Sequence, residues 1–268
     1  MKAWLGLGLA LASLGGCRKP SAARAEPPAV AAASSGAAAA GMTVVSELES
    51  SGLRIRTGTL PVAGAVWGFT DIELDARRTR LEIQQAKAGA PLAQLLPSRG
   101  LAVVNGGYFE ADFRPSTWLK NDGVELAPKS DTSKGGLLAV GDAGIYVGPF
   151  SALRFDPTLA VQSFPLLVEP DYQSGIYRDD GRRAARTVAC LAPRALHLIV
   201  IAAPRGEGPT LFEAAGLLRA PAPLGFGCRV ALNLDGGPST GVWFAPQINA
   251  RQRPPLANVG YAIAILPR

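Results

Sequence analysis

The sequence predicts an α+β fold rich in strands. Short runs of alternating or β-branched residues recur along the chain, and turns rich in Gly and Asp separate them. One stretch, residues 210–219, has the apolar spacing of a good helix. About 227 residues follow the first 41, enough for one large domain or two small ones, and one is the expectation here.

The elements follow in order. Residues 53–59, 66–74 and 79–85 carry strand patterns, with Asp75-Ala76-Arg77-Arg78 as a connecting turn. Residues 91–96 predict a short helix, with Pro91 pre-set for its first turn. Residues 101–104 form a short apolar run, consistent with a buried strand, that leads into Asn105-Gly106-Gly107-Tyr108-Phe109. A hairpin is predicted from 136–140 and 145–147 around Gly141-Asp142-Ala143-Gly144, and two further strands from 186–191 and 195–201. In the helix, Leu211, Ala214, Ala215 and Leu218 recur at helical spacing after Pro209. Residues 230–234 form an apolar strand ending at Asp235-Gly236-Gly237, and 259–266 a closing strand.

The N-terminus predicts export. Met1 and Lys2 precede an apolar stretch of about a dozen residues, which suits a signal segment and is too short to span a bilayer. Leu14-Gly15-Gly16-Cys17 resembles a bacterial lipobox, in which Cys17 is lipidated and anchors the chain to a membrane. Residues 1–17 are thus read as a signal segment. Residues 18–42, dominated by Ala, Pro, Ser and Gly, are read as a disordered tether, and 43–268 as the folded part. Arg18 after the cysteine points to the outer membrane, facing periplasm or exterior. Of the formal charge of +6, Lys2, Arg18, Lys19, Arg24 and Glu26 supply +3, so the folded part carries only +3, with its charges interspersed. That does not call for a nucleic-acid partner. Cys190 and Cys228 remain in an oxidising compartment; a disulfide and two buried thiols are both open.

Chemistry is placed in two loops of one form. Asn105-Gly106-Gly107 and Asp235-Gly236-Gly237 each end a buried strand with a polar residue and paired glycines. Glycines allow positive φ and close backbone approach to a ligand. Ordinary tight turns capped by Asn and Asp are the structural alternative. Gly237-Pro238-Ser239-Thr240-Gly241 matches the pattern of a hydrolase nucleophile elbow, but that fold needs a later histidine and a following helix. The single histidine, His197, lies upstream within an apolar strand and reads as a strand residue facing a neighbour. One histidine also argues against a zinc site. No metal or cofactor is called for, although a divalent cation on oxygen ligands stays open. Carboxylates must then do any acid–base work.

These segments carry a resemblance. LAVVNGGYF at 101–109, RTVACL at 186–191, the helix followed by ALNLDGGPST up to 240, and PLANV at 255–259 resemble the phosphodiester glycosidase family. That is the family of the enzyme that uncovers masked mannose 6-phosphate. Residues 110–123 are closer to its small bacterial members. The resemblance spans about 100–266 in consistent order. It implies a mixed, largely antiparallel sheet with few helices, and a hydrolase acting on a sugar-1-phosphodiester. A phosphorylated leaving group needs little protonation, so a carboxylate and a cation suffice. The catalytic candidates are Asp235 and Arg186, the latter as a bidentate phosphate clamp. Asn105, Gly106, Gly107, Tyr108, Gly236, Gly237, Ser239, Thr240 and Asn258 are candidates for binding the sugar or phosphate. Tyr108 or Trp243 is the candidate ring platform. The chain departs from the family at Phe164 within Gln162-Ser163-Phe164-Pro165, at Cys190, and at Pro238-Ser239-Thr240. The rival reading is a non-catalytic envelope protein that binds a glycan or partner in the same cleft.

Overall fold

Period-two burial organises the structure. The strand Leu196–Ala202 shows why: Leu196, Leu198 and Val200 face one apolar cluster and Ile199 and Ile201 another, so every residue of the run is buried. The computed structural model describes residues 41–130 and 135–268. The signal segment, Cys17 and nearly all of the tether lie outside the described residues. The strands of the first half are β1 (Thr43–Ser50), β2 (Leu53–Val62), β3 (Ala65–Leu74), β4 (Thr79–Ala90), β5 (Ala102–Asn105), β6 (Leu119–Asn121), β7 (Val124–Ala127), β8 (Gly136–Gly141) and β9 (Gly144–Pro149). The second half adds β10 (Leu159–Ser163), β11 (Leu166–Glu169), β12 (Gln173–Ser174), β13 (Arg186–Leu191), β14 (Leu196–Ala202), helix α1 (Leu211–Arg219), β15 (Val230–Asn233), β16 (Val242–Phe244) and β17 (Val259–Pro267).

These strands form an eight-stranded sheet in the order β1-β2-β3-β14-β13-β15-β11-β12, a five-stranded sheet β7-β6-β10-β8-β9 and a four-stranded sheet β16-β5-β17-β4. Every named pairing is antiparallel. The class is therefore largely β among the described residues, and the α+β expectation overstates the helix. Residues 91–96 form only a short 3-10 turn at Leu92–Leu95. The first strand, β1, and the short strands β6, β7, β10, β11, β12 and β16 were not anticipated.

One face of the large sheet meets the two smaller sheets. Ile55, Ile72 and Leu198 pack with Val104 and Ile263 of the four-stranded sheet and with Leu138 and Val161 of the five-stranded one. The other face is covered by α1, whose Ala214, Ala215 and Leu218 pack on Val188, Ile199 and Ala231. Cys190 and Cys228 form a disulfide inside this second cluster, which settles the open question about them. Thr210 and Glu213 make a capping box at the start of α1, satisfying two orphan amides reciprocally, and Arg183 forks onto Glu213 at 2.8 and 2.9 Å. His197 does face a neighbour: its Nδ1 is hydrogen-bonded to buried Asp71 Oδ1 at 2.9 Å, while Arg56 holds the other carboxylate oxygen.

Candidate active site

Three strand ends converge at one rim. Arg186 opens β13, Asn105 closes β5, and Asn233 closes β15 two residues before Asp235. The two Gly-Gly loops meet as their grammar predicts. Asp235 N–H donates to Gly106 O at 3.1 Å, and Asn105 Nδ2 donates to Asp235 O at 2.8 Å and to Gly106 O at 3.2 Å. Asn105 Oδ1 accepts from Thr187 Oγ1 at 2.6 Å and from Gly241 N at 3.1 Å.

Asn105 is thus 1% exposed with both donors and both lone pairs engaged. It joins the loops from beneath and has no atom left to offer a substrate, which corrects its expected role as a binding group. The glycines also act differently from the expectation. Gly237 alone of the four adopts positive φ, at 58°. Gly106 and Gly107 are needed for room: a Cβ on Gly106 would lie 2.2 Å from the Tyr261 ring, and one on Gly107 2.6 Å from the Tyr261 hydroxyl. The Gly107 N–H donates to that hydroxyl at 2.8 Å, so the buried tyrosine of β17 sets the height of the loop. A Cβ on Gly236 would approach Ala185 O at 2.8 Å.

The charged groups stand on this base. Asp235 Oδ1 accepts from the Gly236 N–H at 2.8 Å, and the buried Ser239 adds a second hydrogen bond to the carboxylate. Burial outweighs both and raises the Asp235 pKa above the ordinary carboxylate value. Arg186 donates through Nε to Pro209 O at 3.0 Å and through Nη2 to Arg182 O at 2.9 Å. Its Nη1 lies 3.9 Å from the position a Gly236 Cβ would take. Burial depresses its pKa, partly offset by Tyr108 and Asp180. Neither Asp235 nor Arg186 has an ion-pair partner among the described residues.

The Tyr108 hydroxyl feels both charges. It accepts from Asn233 Nδ2 at 2.9 Å. Its pKa is pushed up to about 12, chiefly by burial and then by the Asp235 carboxylate, with Arg186 and Asn233 opposing. At neutral pH it keeps its proton and can donate it. Phe164 stacks on the Tyr108 ring, centroids 4.4 Å apart and planes 25° apart, and is partly exposed. Ser163 Oγ and Asn233 Oδ1 are buried without a hydrogen-bond partner among the described residues, unusual for buried polar atoms.

The other candidates divide. Leu256 and Ala257 N–H groups donate to Pro238 O at 2.8 and 3.1 Å, tying the loop of exposed Asn258 to the Asp235 loop. Thr240 is buried, its Oγ1 without a hydrogen-bond partner among the described residues. Trp243 packs with Leu92, Val103 and Val259 in a separate apolar cluster, so it is not placed as a platform. Among the described residues no group of three or more His, Cys, Asp or Glu is placed to hold a metal ion. Sequence reasoning missed Asn233, Thr187, Ser163 and Tyr261. The first two are polar interruptions of buried strands, which was an available signal. Tyr261 had none, since it reads as one more core residue.

Two solved structures share this fold. The chain aligns with the catalytic domain of zebrafish N-acetylglucosamine-1-phosphodiester α-N-acetylglucosaminidase at a TM-score of 0.63 and 15% identity, over 85% of this chain and 89% of that one. A hypothetical protein of Synechocystis aligns at a TM-score of 0.59 and 16% identity, over 84% of this chain; the chain spans 64% of that protein's length. At such identities the likeness speaks for the fold alone. No curated protein sequence matches. The family model for phosphodiester glycosidases matches residues 98–266, well over half of the sequence, and the chain belongs to that family.

Proposed function

We propose that the chain is a hydrolase that cleaves a sugar-1-phosphodiester at the anomeric carbon. The observation that carries this reading is a carboxylate, Asp235, and a guanidinium, Arg186, without ion-pair partners among the described residues, brought to one rim where the two Gly-Gly loops are bonded together and Arg186 Nη1 lies 3.9 Å from the position a Gly236 Cβ would take. Lacking such a partner, each group is available to a substrate. Arg186 holds the phosphate through its planar fork. Tyr108, protonated at neutral pH, donates to a phosphate or sugar oxygen. Asp235 attacks the anomeric carbon or takes a proton from the water that does. The bond from that carbon to the phosphate oxygen breaks, the hydroxyl of water ends on the sugar, and a phosphomonoester leaves as an anion. Ser239 and the Gly236 N–H steady the carboxylate, while Asn105 and Tyr261 position the two loops.

The protein acts, on this reading, from the cell envelope, held by a lipid on Cys17. Leu14-Gly15-Gly16-Cys17 supports this, and the Cys190–Cys228 disulfide suits an exported chain. A panel of chromogenic sugar-1-phosphodiesters tests the chemistry. Arg186→Lys keeps the charge but loses the fork, and should raise KM about tenfold while moving kcat less. A second reading, a glycan-binding protein without turnover, is favoured by one feature: the Phe164 ring stacked on Tyr108 at the mouth of the site. Binding of a sugar phosphate with no turnover of any diester would select it.

A further inference from the structure

Ala185 and Gly237, neighbours in sequence of Arg186 and Gly236, line a cleft of about 550 Å³ whose other walls lie outside the site above. Thr57 and Thr70 of the large sheet, Thr240, and Arg251 and Arg253 also line it. No carboxylate does. The arginine segment is fixed: Gln252 bonds both the N–H and the carbonyl of Phe244 at 2.6 and 3.0 Å, and the Arg253 backbone pairs with Val242 at 2.8 and 2.9 Å. The Arg253 guanidinium donates to Ala203 O.

Neither arginine has a carboxylate partner among the described residues. Arg253 is partly buried, and burial together with the charge of Arg251 depresses its pKa. Exposed Arg251 and partly buried Arg253 thus face one cleft together with Thr240, whose buried hydroxyl has no hydrogen-bond partner among the described residues. An anion supplies what is lacking, because guanidinium forks bind phosphate oxygens in charge-assisted pairs. The volume lies within the usual span for small-ligand sites, and threonine hydroxyls suit a polyol.

We infer that this cleft is a leaving-group subsite for a second anionic group, such as a further phosphate on a polyol or sugar aglycone, distal to the scissile phosphate. Resting on the phosphodiester reading, it places the scissile phosphate at Arg186 and the rest of the leaving group between Arg251, Arg253 and Thr240. Recognition would favour substrates whose aglycone carries its own negative charge.

Glycerol 1-phosphate is a probe that is no diester, so its binding is independent of turnover. Calorimetry on the full chain should show binding that weakens about tenfold in Arg251→Ala/Arg253→Ala and persists in Arg186→Ala, while glycerol binds neither. Arg251→Ala alone, at an exposed position, should weaken it about threefold with an unchanged thermal melt, which removes misfolding as a cause. In turnover, the double variant should raise KM for a diester with a phosphorylated aglycone about tenfold and leave a methyl-phosphate diester within about twofold. Binding lost in Arg186→Ala but kept in the double variant overturns the subsite, as does an equal rise in KM for both diesters. Diester turnover with no arginine-dependent binding of the probe overturns the subsite and leaves the hydrolase standing. Arginine-dependent binding with no diester turnover overturns the leaving-group assignment together with the hydrolase.

Discussion

Asp235 is held in a setting that disfavours its charge, since burial outweighs the hydrogen bonds from Gly236 and Ser239. If its carboxylate is the reactive group, activity falls as pH drops through its raised pKa, and the acid limb of kcat/KM lies above the ordinary carboxylate range. The stability sign runs the other way. A carboxyl whose folded pKa is raised contributes stability below its unfolded pKa, and that contribution is lost as pH rises through the folded value. Asp235→Asn keeps the acceptor oxygen and removes the charge. It should lower kcat about 10²- to 10⁴-fold while its Tm at pH 7 equals or exceeds that of the wild type, a difference that closes at acid pH. Asn105 should behave oppositely. Asn105→Ala takes away the partner of the Thr187 hydroxyl, the Gly241 N–H and the Asp235 carbonyl, while Gly106 O keeps the Asp235 N–H, a loss of about 3 kcal/mol readable in urea unfolding, with activity lost through the loops.

The elements that carry the loops were legible because apolar runs of β5 and β15 break abruptly into a polar residue and two glycines. Their meeting was legible for the same reason, as both loops end buried strands. What the glycines do was hidden, because the demand comes from Tyr261, which lies far away in sequence and faces them only after β17 pairs with β5. Strands of three or four residues, such as Leu119–Asn121 and Val242–Phe244, are too short for a period to show. Helix α1 was the clearest element, with its spacing visible and its capping box formed by Thr210 and Glu213. The disulfide could not be read from spacing, since Cys190 lies within a strand and Cys228 in the turn before β15. It fastens that turn to the sheet under α1. Cys190→Ala with Cys228→Ala should cost about 2–4 kcal/mol in denaturant unfolding while the rim, held by its own hydrogen bonds, keeps its activity per folded molecule.

At the scale of the whole molecule, an all-antiparallel pair of small sheets packed on a large one brings residues from the two Gly-Gly loops to one rim, although 130 positions separate Asn105 from Asp235. The family match over residues 98–266 covers both loops, Arg186 and the arginines of the adjoining cleft. The N-terminal anchor is a separate claim: Cys17→Ser should move the chain from the detergent phase to the aqueous phase, and an unmodified Cys17 in the mature wild type would refute lipidation. The central claim is hydrolysis at Asp235 assisted by Arg186. It is tested most directly by steady-state turnover of a chromogenic sugar-1-phosphodiester, comparing the wild type with Asp235→Asn at matched folded concentration. Release of the phosphomonoester by the wild type, with loss of at least about a hundredfold in the folded variant, is the result expected. Equal rates in the two proteins, or no turnover of any diester by the wild type, would contradict it.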